Sequence, residues 1–392
     1  MNTVQPSRKT TVVHSLPFWL PLTSTWLYHQ VKYLPSEIDN HIVCGWTEHR
    51  DRFDVQNLHS LRDSSPWRWK VEFGLYRLGI RRYFSHLLPI IRQFSASVLH
   101  SHWGDMAWRD LPAAQKSKVP HVATFYGKDV SYLPQTKPKW ARRYKELFAH
   151  ISLVLCEGSH MGKCLERLGC SSNKIRVLHL GVEVDQIAFR PRRWNMAEPF
   201  RVLIAASFRE KKGIPYALEA IGLLKREVKH IEITIIGDAS KDPRSHPEKD
   251  KILNVLRRYR LESQTRMLGY QPYSVLFDEA YKHHLFISPS VTAADGDTEG
   301  GAPVTIIEMA ATGMPIVSTT HCDIPEVVLH GKTGLLAPER DVEALCECLR
   351  WFVRNSEYWH QMLEAGRSHI EEEYDIRKQV QKLRNIYMSF VK

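Results

Sequence analysis

Two kinds of hydrophobic spacing alternate along the chain. Short runs of apolar, often β-branched residues recur, and between them apolar positions repeat at helical intervals. The pattern is clearest in the second half. Runs at 201–206, 231–236, 266–268, 285–288 and 315–318 predict strands, and segments 213–225, 249–259, 303–312 and 341–353 predict helices. Strands that are apolar throughout and alternate with helices imply βαβ units around a buried parallel sheet. The first half repeats the rhythm. Strands are predicted at 11–14, 41–44, 97–100, 119–124, 151–155 and 176–178, with helices notably over 75–94 and 140–149. Residues 189–199 are rich in Arg and Pro and have no period. The predicted organisation is an N-terminal domain over 1–190, a linker over 191–200, a C-terminal domain over 201–375, and a last helix within 376–392 that is free to pack back on the first domain. Doubly wound sheets bind ligands beyond the carboxyl ends of their strands. Two such domains therefore predict a site in the cleft between them.

Composition refines this picture. A chain of 392 residues suits two domains. It has no run of 18 apolar residues, which argues against a membrane-spanning helix. The apolar stretch 12–22 is broken by His14, Pro17 and Pro21 and lacks a small-residue cleavage site, so it is not read as a leader peptide. The seven cysteines form no C-x-x-C pair, which points to reduced thiols rather than a disulfide framework or a zinc site. Charge is unevenly spread. Residues 1–195 carry 28 Lys and Arg against 15 Asp and Glu, whereas residues 196–392 carry 26 against 28. A basic first half suggests an anionic partner: an acidic membrane surface, a lipid-pyrophosphate acceptor or nucleic acid.

Several phosphate motifs are excluded. No G-x-G-x-x-G follows a strand, and Gly331-Lys332-Thr333 is not a P-loop because Glu326 stands where its first glycine belongs. His100 and His102 share one strand face, but two ligands alone make a weak metal site. The loop Asp295-Gly296-Asp297-Thr298-Glu299-Gly300-Gly301-Ala302-Pro303 is of another kind: acidic, glycine-rich, and leading into a helix that contains Glu308. Glycines let backbone N–H groups approach a ligand, a helix start favours a diphosphate, and carboxylates can accept bonds from sugar hydroxyls. A cation-binding acidic loop or a solvated turn would fit the same residues.

This stretch resembles the E-x7-E signature of family 4 glycosyltransferases, with D-G-D-x-E-G loops as in the exopolysaccharide branch of colanic-acid and amylovoran type. The resemblance covers most of the chain and is strongest over 200–345. It implies an α/β, GT-B architecture of two doubly wound Rossmann-like domains facing a central cleft. Here eight residues, not seven, separate Glu299 from Glu308, so Asp297 rivals Glu299 for the first glutamate's place. By the resemblance, Glu308 binds the ribose hydroxyls. Glu299 contacts the donor sugar, with the amides of Gly300, Gly301 and Ala302 beside it. The segment Ser207-Phe208-Arg209-Glu210-Lys211-Lys212-Gly213 is similar to the family's G-R-L-x-x-K-K-G loop. Lys212 matches its phosphate-binding lysine. Ser207 stands in the arginine position, and Arg209 is expected to take over that role. Gly237-Asp238 and Gly269-Tyr270-Gln271-Pro272 resemble family turns that adjoin the donor, the latter at the base.

In the first half, Thr124-Phe125-Tyr126-Gly127-Lys128-Asp129 is similar to the family's T-F-H-G-x-D segment, with Tyr126 replacing the histidine near the reacting carbon. A tyrosine can hydrogen-bond there but is no base at neutral pH. His102 resembles the second histidine of the family's H-x-H loop. Ser159 is expected to cap a helix. The resemblance implies transfer of a sugar, with retention, from a nucleotide diphosphate sugar to a hydroxyl of a lipid-linked oligosaccharide in exopolysaccharide or cell-surface glycan synthesis. The expected setting is the cytoplasm, with peripheral attachment to the inner membrane face as an option. No cofactor and no metal are expected, although Asp295-Gly296-Asp297 spells a D-x-D. The alternative class is a non-catalytic nucleotide or nucleic-acid binder using the basic half. Its aromatic residues, however, are not interleaved with the basic ones.

Overall fold

The computed structural model describes residues 9–21 and 24–391. Two compact units divide the chain, one made of Met1–Gly181 with Ile376–Lys392 and the other of Val182–Asp375.

The first unit is built on seven parallel strands: β1 (Thr10–Trp19), β2 (Ile38–Thr47), β3 (Leu58–Ser60), β4 (Val98–His102), β5 (His121–Thr124), β6 (Leu153–Cys156) and β7 (Ile175–Val177). They run in the order β3-β2-β1-β4-β5-β6-β7. The stretch weighed as a leader supplies β1, which lies in mid-sheet; Leu22 lies outside the described residues. Pro17 is tolerated inside β1 because the ladder to β4 ends at Ser15, leaving no bond on that side to lose. The last helix, Ile376–Met388, packs Ile376, Val380, Leu383 and Tyr387 against Val12, Val98, Val122 and Leu155 of this sheet.

The second unit has six parallel strands: β8 (Phe200–Ala205), β9 (Ile231–Ile236), β10 (Thr265–Gly269), β11 (Leu285–Ser288), β12 (Ile316–Thr319) and β13 (Leu335–Ala337). Their order is β10-β9-β8-β11-β12-β13. Strand order reverses between β8 and β11, which makes the ends of these two strands the topological switch point where doubly wound sheets hold ligands. Both sheets are of the expected doubly wound, Rossmann-like kind. Among the described residues no helix is long and apolar enough to cross a membrane.

Three expectations need correction. The unit boundary falls between Gly181 and Val182, not at 190, and residues 191–200 are not a free linker. Arg192 is buried and donates to the carbonyls of Ala280 (2.9 Å), His283 (3.0 Å) and Thr312 (3.1 Å), while Trp194 packs on Phe200. The segment looked unstructured because its anchor is a polar side chain bound to carbonyls at the ends of two helices, which leaves no hydrophobic period. The helix expected over 75–94 is instead two helices, Pro66–Arg77 and Leu87–Gln93. Gly79, at φ +77°, lies just beyond the end of the first. Ser159 is the first residue of its helix, and Gly158 occupies the capping position.

Candidate active site

The loops after β8 and β11 meet at the switch point of the second unit. Two glycines permit this. Gly213 has φ +64°, and a Cβ there would lie 1.9 Å from the carbonyl oxygen of Pro289, so the end of the basic loop rests directly on the chain leaving β11. Gly237, at φ +129°, rests in the same way on the Ala206 carbonyl, 1.9 Å from where its Cβ would be. Any side chain at either position would push the loops apart.

The approach brings four cations against four carboxylates. Lys212 donates to Glu299 Oε2 at 2.9 Å, and Arg209 donates to Asp297 Oδ2 at 2.6 Å while reaching Asp242 at 3.0 Å. Lys211 lies 3.4 Å from Asp297 and donates to the Thr298 carbonyl at 2.8 Å. Arg244 pairs with Asp295 at 2.7 Å and with Asp242 at 2.8 Å. The Glu299 side chain is only 5% exposed. Burial alone would raise its carboxyl, but Lys212 and Lys211 outweigh that and hold it at about 2. Ser290 donates to its other oxygen at 2.8 Å. The Glu299 amide donates to His321 Nε2 at 3.1 Å, and His321 Nδ1 faces Glu339 at 2.7 Å, which sets the tautomer with the proton on Nδ1. Both rivals for the first glutamate's place, Asp297 and Glu299, are therefore buried on cations: Arg209 holds the first, Lys212 the second, and Lys211 lies between them.

Beyond Glu299 the chain turns at Gly300, φ +82°, whose amide donates to Thr298 Oγ1 at 3.2 Å. Among the described residues the amides of Gly301 and Ala302 make no hydrogen bond, and Pro303 caps the helix Val304–Ala311. Unpaired donors at a helix start suit an anion. Glu308 lies inside that helix and is buried, where desolvation raises its carboxyl to about 7; Tyr273 donates to it at 2.6 Å. Tyr270, at the end of β10, is 55% exposed, and burial of its hydroxyl beside Asp238 raises its pKa. Arg209, Lys212, Asp297 and Glu299 are thus brought together, with the loop from Gly300 to Pro303 adjoining and Glu308 on its own partner. Sequence reasoning missed Asp242, Arg244, Tyr273, Ser290 and His321. The signal that could have found the first two is Asp242-Pro243-Arg244, a charged turn in the loop that follows Gly237-Asp238.

His102 and Tyr126 belong to the first unit. Their surroundings form a chain of hydrogen bonds at its own switch point, between β1 and β4. The Tyr126 hydroxyl meets His102 Nδ1 at 2.6 Å, His102 Nε2 meets His14 Nδ1 at 3.1 Å, and His14 Nε2 meets Asn40 Oδ1 at 3.1 Å. An amide oxygen only accepts, so His14 carries its proton on Nε2, His102 likewise, and the Tyr126 hydroxyl donates. Burial lowers His14 to about 4 and pushes His100 and His102 well below the usual histidine range. His14 supplies the third imidazole that the H-x-H pair lacked, and ligating atoms of the three lie within 4.8 Å of one another. Yet His100 is also bonded at both nitrogens, to the Tyr387 hydroxyl at 2.6 Å and to Thr124 at 2.7 Å. All six ring nitrogens have protein partners, an arrangement that suits a neutral hydrogen-bond network better than a metal site. Asp129 accepts from the amides of Gly104 (2.7 Å) and Tyr126 (3.0 Å), tying together the loops after β4 and β5. Trp103, beside Tyr126, has φ +72° and ψ 140°, a strained region that non-glycine residues rarely occupy outside functional sites.

Comparison with known proteins agrees with this architecture. Residues 23–186 match the family Glycosyltransferase Family 4, and residues 187–369 match Glycosyl transferases group 1. Over 302 residues the chain is 30% identical to the amylovoran biosynthesis glycosyltransferase AmsK of Erwinia amylovora, covering 74% of this chain and 70% of that protein. Over 330 residues it is 31% identical to WcaL of Escherichia coli K12, a provisional colanic acid biosynthesis glycosyltransferase, covering 82% and 77%. Among solved structures, Anabaena HepE in complex with UDP and glucose superposes with a TM-score of 0.75 at 14% identity, over 97% of this chain and 100% of that one. The apo lipopolysaccharide outer core galactosyltransferase WaaB gives 0.68 at 13%, over 97% and 99%. At such identities the structural likeness speaks for the fold, which is GT-B. With its two parallel-sheet units and these relatives, the chain is a glycosyltransferase. It belongs to glycosyltransferase family 4.

Proposed function

We propose that the chain transfers a sugar from a nucleotide diphosphate sugar to a hydroxyl of a lipid-linked oligosaccharide in exopolysaccharide synthesis, with retention at the anomeric carbon. The observation that carries the donor half of this reading is the meeting of Arg209 and Lys212 with Asp297 and Glu299 at the switch point of the second sheet. Lys212, Arg209 and the amides of Gly301 and Ala302 receive the diphosphate, Glu308 the ribose hydroxyls, and Glu299 the sugar. Without ligand the cations are neutralised by the loop's own carboxylates. An arriving diphosphate competes for them, which frees carboxylate oxygens to accept sugar hydroxyls. In the transfer the bond from the anomeric carbon to the diphosphate oxygen breaks, and its electron pair leaves with the diphosphate. A new bond forms to the acceptor oxygen, whose proton passes to the departing diphosphate. Lys212 and Arg209 stabilise the charge that develops. No metal is required, since the cations already face the site.

The names of AmsK and WcaL support the exopolysaccharide setting, and the basic first unit supports an acceptor that carries phosphate close to the inner membrane face. In the first unit, His102, which burial keeps neutral, accepts from the Tyr126 hydroxyl and holds that side chain in place without exchanging protons with it. A thermal-shift panel of UDP, GDP, ADP and TDP sugars tests the reading. One nucleotide series should raise the melting temperature, and Glu308→Ala should abolish the rise. Turnover should survive excess EDTA, and the product should keep the anomeric configuration of the donor by NMR. A panel without any shift would overturn the donor reading.

A further inference from the structure

The helix Pro66–Arg77 in the first unit has two apolar faces, and only one of them packs on the protein. On the inner face Trp69 and Phe73 lie against Trp46, with ring centroids 6.2 Å and 5.7 Å apart, and Tyr76 stacks on Phe84 at 5.1 Å. Buried Glu72 locks this side by accepting from Arg68 Nε at 2.8 Å and the Ser85 amide at 2.9 Å, with Arg81 at 3.2 Å.

The outer face carries Trp67, Val71, Gly74 and Leu78. Their spacing of four, three and four puts them on one stripe of a helix. Ile80, also exposed, follows just past the helix end. Trp67 is 78% exposed, Val71 45%, Leu78 75% and Ile80 70%. Single exposed apolar side chains are ordinary, but four in fourteen positions, three of them on one helical stripe, call for a partner. Lys70 and Arg77 lie on the same face, and neither is ion-paired among the described residues. Between 66 and 82 the only carboxylate among five basic residues is Glu72, which is turned inward and already neutralised. Interfaces with other proteins are depleted in lysine at their centres and mix both charge signs at their rims. An apolar stripe flanked only by cations, with a tryptophan at one end, fits an anionic lipid surface instead.

We propose that this face docks the protein on an anionic phospholipid surface. Trp67, Val71, Leu78 and Ile80 enter the boundary between headgroups and acyl chains, and Lys70 and Arg77 lie along it with their ammonium and guanidinium groups on lipid phosphates. The rest of the unit adds long-range attraction. It holds 30 Lys and Arg against 13 Asp and Glu, while the second unit holds 24 against 30. The inference does not rest on the donor or acceptor reading.

Flotation of the purified full chain with vesicles of phosphatidylglycerol and phosphatidylethanolamine tests it, with phosphatidylcholine vesicles for comparison. The wild type should float with the anionic vesicles, less with phosphatidylcholine, and less as salt is raised. Trp67→Glu/Leu78→Glu should weaken binding by about tenfold or more, since each change removes a buried apolar group from the docked state. Lys70→Gln/Arg77→Gln should weaken the preference for anionic lipid. Ile80→Gln, which lies outside the helix and so cannot unfold it, should give a smaller loss. Unchanged circular dichroism and melting temperature would show that each variant is folded. The proposal is overturned by absence of flotation at low salt or by equal flotation of wild type and Trp67→Glu/Leu78→Glu. It is equally overturned by a wild-type dimer in solution that this variant dissociates, which would assign the face to a second copy.

Discussion

Lys212 donates to Glu299 across 2.9 Å although 87 residues separate them. The two stand at the ends of loops that leave β8 and β11, strands that are neighbours in the sheet but not in the chain. The pair belongs to a self-neutralised site of four cations and four carboxylates, and its removal should be felt in stability as well as in catalysis.

Lys212→Met leaves a buried carboxylate without its nearest cation and should destabilise the second unit by about 2–3 kcal/mol in urea unfolding. Adding Glu299→Gln should recover much of the loss. Because the folded protein depresses the Glu299 carboxyl to about 2, its contribution is present above its ordinary value near 4.5 and is lost as pH falls toward 2. The acid limb of a stability–pH curve should therefore be shallower in Glu299→Gln. Identical limbs would show that the pair carries no linkage.

Arg209 bridges Asp297 and Asp242 in this state. If its guanidinium turns to a diphosphate when the donor binds, Arg209→Ala should lower turnover about 100-fold or more. Arg209→Lys should fall between the two, because it keeps the charge but loses the planar fork. Wild-type turnover in Arg209→Ala would remove this residue from the diphosphate site.

Burial raises the Glu308 carboxyl to about 7, and an ionised carboxylate is the better acceptor for two ribose hydroxyls. Nucleotide affinity measured by calorimetry should rise about tenfold per pH unit up to pH 7 and level off above it. Glu308→Gln should bind more weakly and show no such slope. The linkage to stability has the opposite sense. A raised carboxyl adds stability below about 4.5 that is lost as pH rises through about 7, so unliganded Glu308→Gln should be the less pH-sensitive protein across that window.

The chain from Tyr126 through His102 and His14 to Asn40 requires neutral imidazoles. NMR should find His14, His100 and His102 untitrated from pH 5 to pH 8, as their burial demands. Added zinc should leave the melting temperature unchanged, because every ring nitrogen already has a protein partner. A clear zinc-dependent rise would turn the cluster into a metal site.

Much of this was legible from residue order. The six strands expected in the first half and the five in the second all appear, and most of them are buried on both faces and so announce themselves as apolar runs. β3 and β13, of three residues each, were not expected. The helix Pro66–Arg77 escaped because it is apolar on two faces, so no single face stands out in its sequence. The linker was misread because a buried arginine holds it.

At the site, the sequence by itself determined which loops carry charge and glycine, and hence that Arg209, Lys212, Asp297, Glu299 and Glu308 are candidates. Those properties follow from residue type and from spacing within a single loop. Only the tertiary structure decided the pairings: Lys212 with Glu299, Arg209 with Asp297 and Asp242, Tyr273 with Glu308, and His14 with the H-x-H pair. Each pairing joins residues on different elements of the fold. Strand order in a parallel sheet is set by crossover connections and core packing, and neither leaves a mark in the local pattern of the residues it brings together.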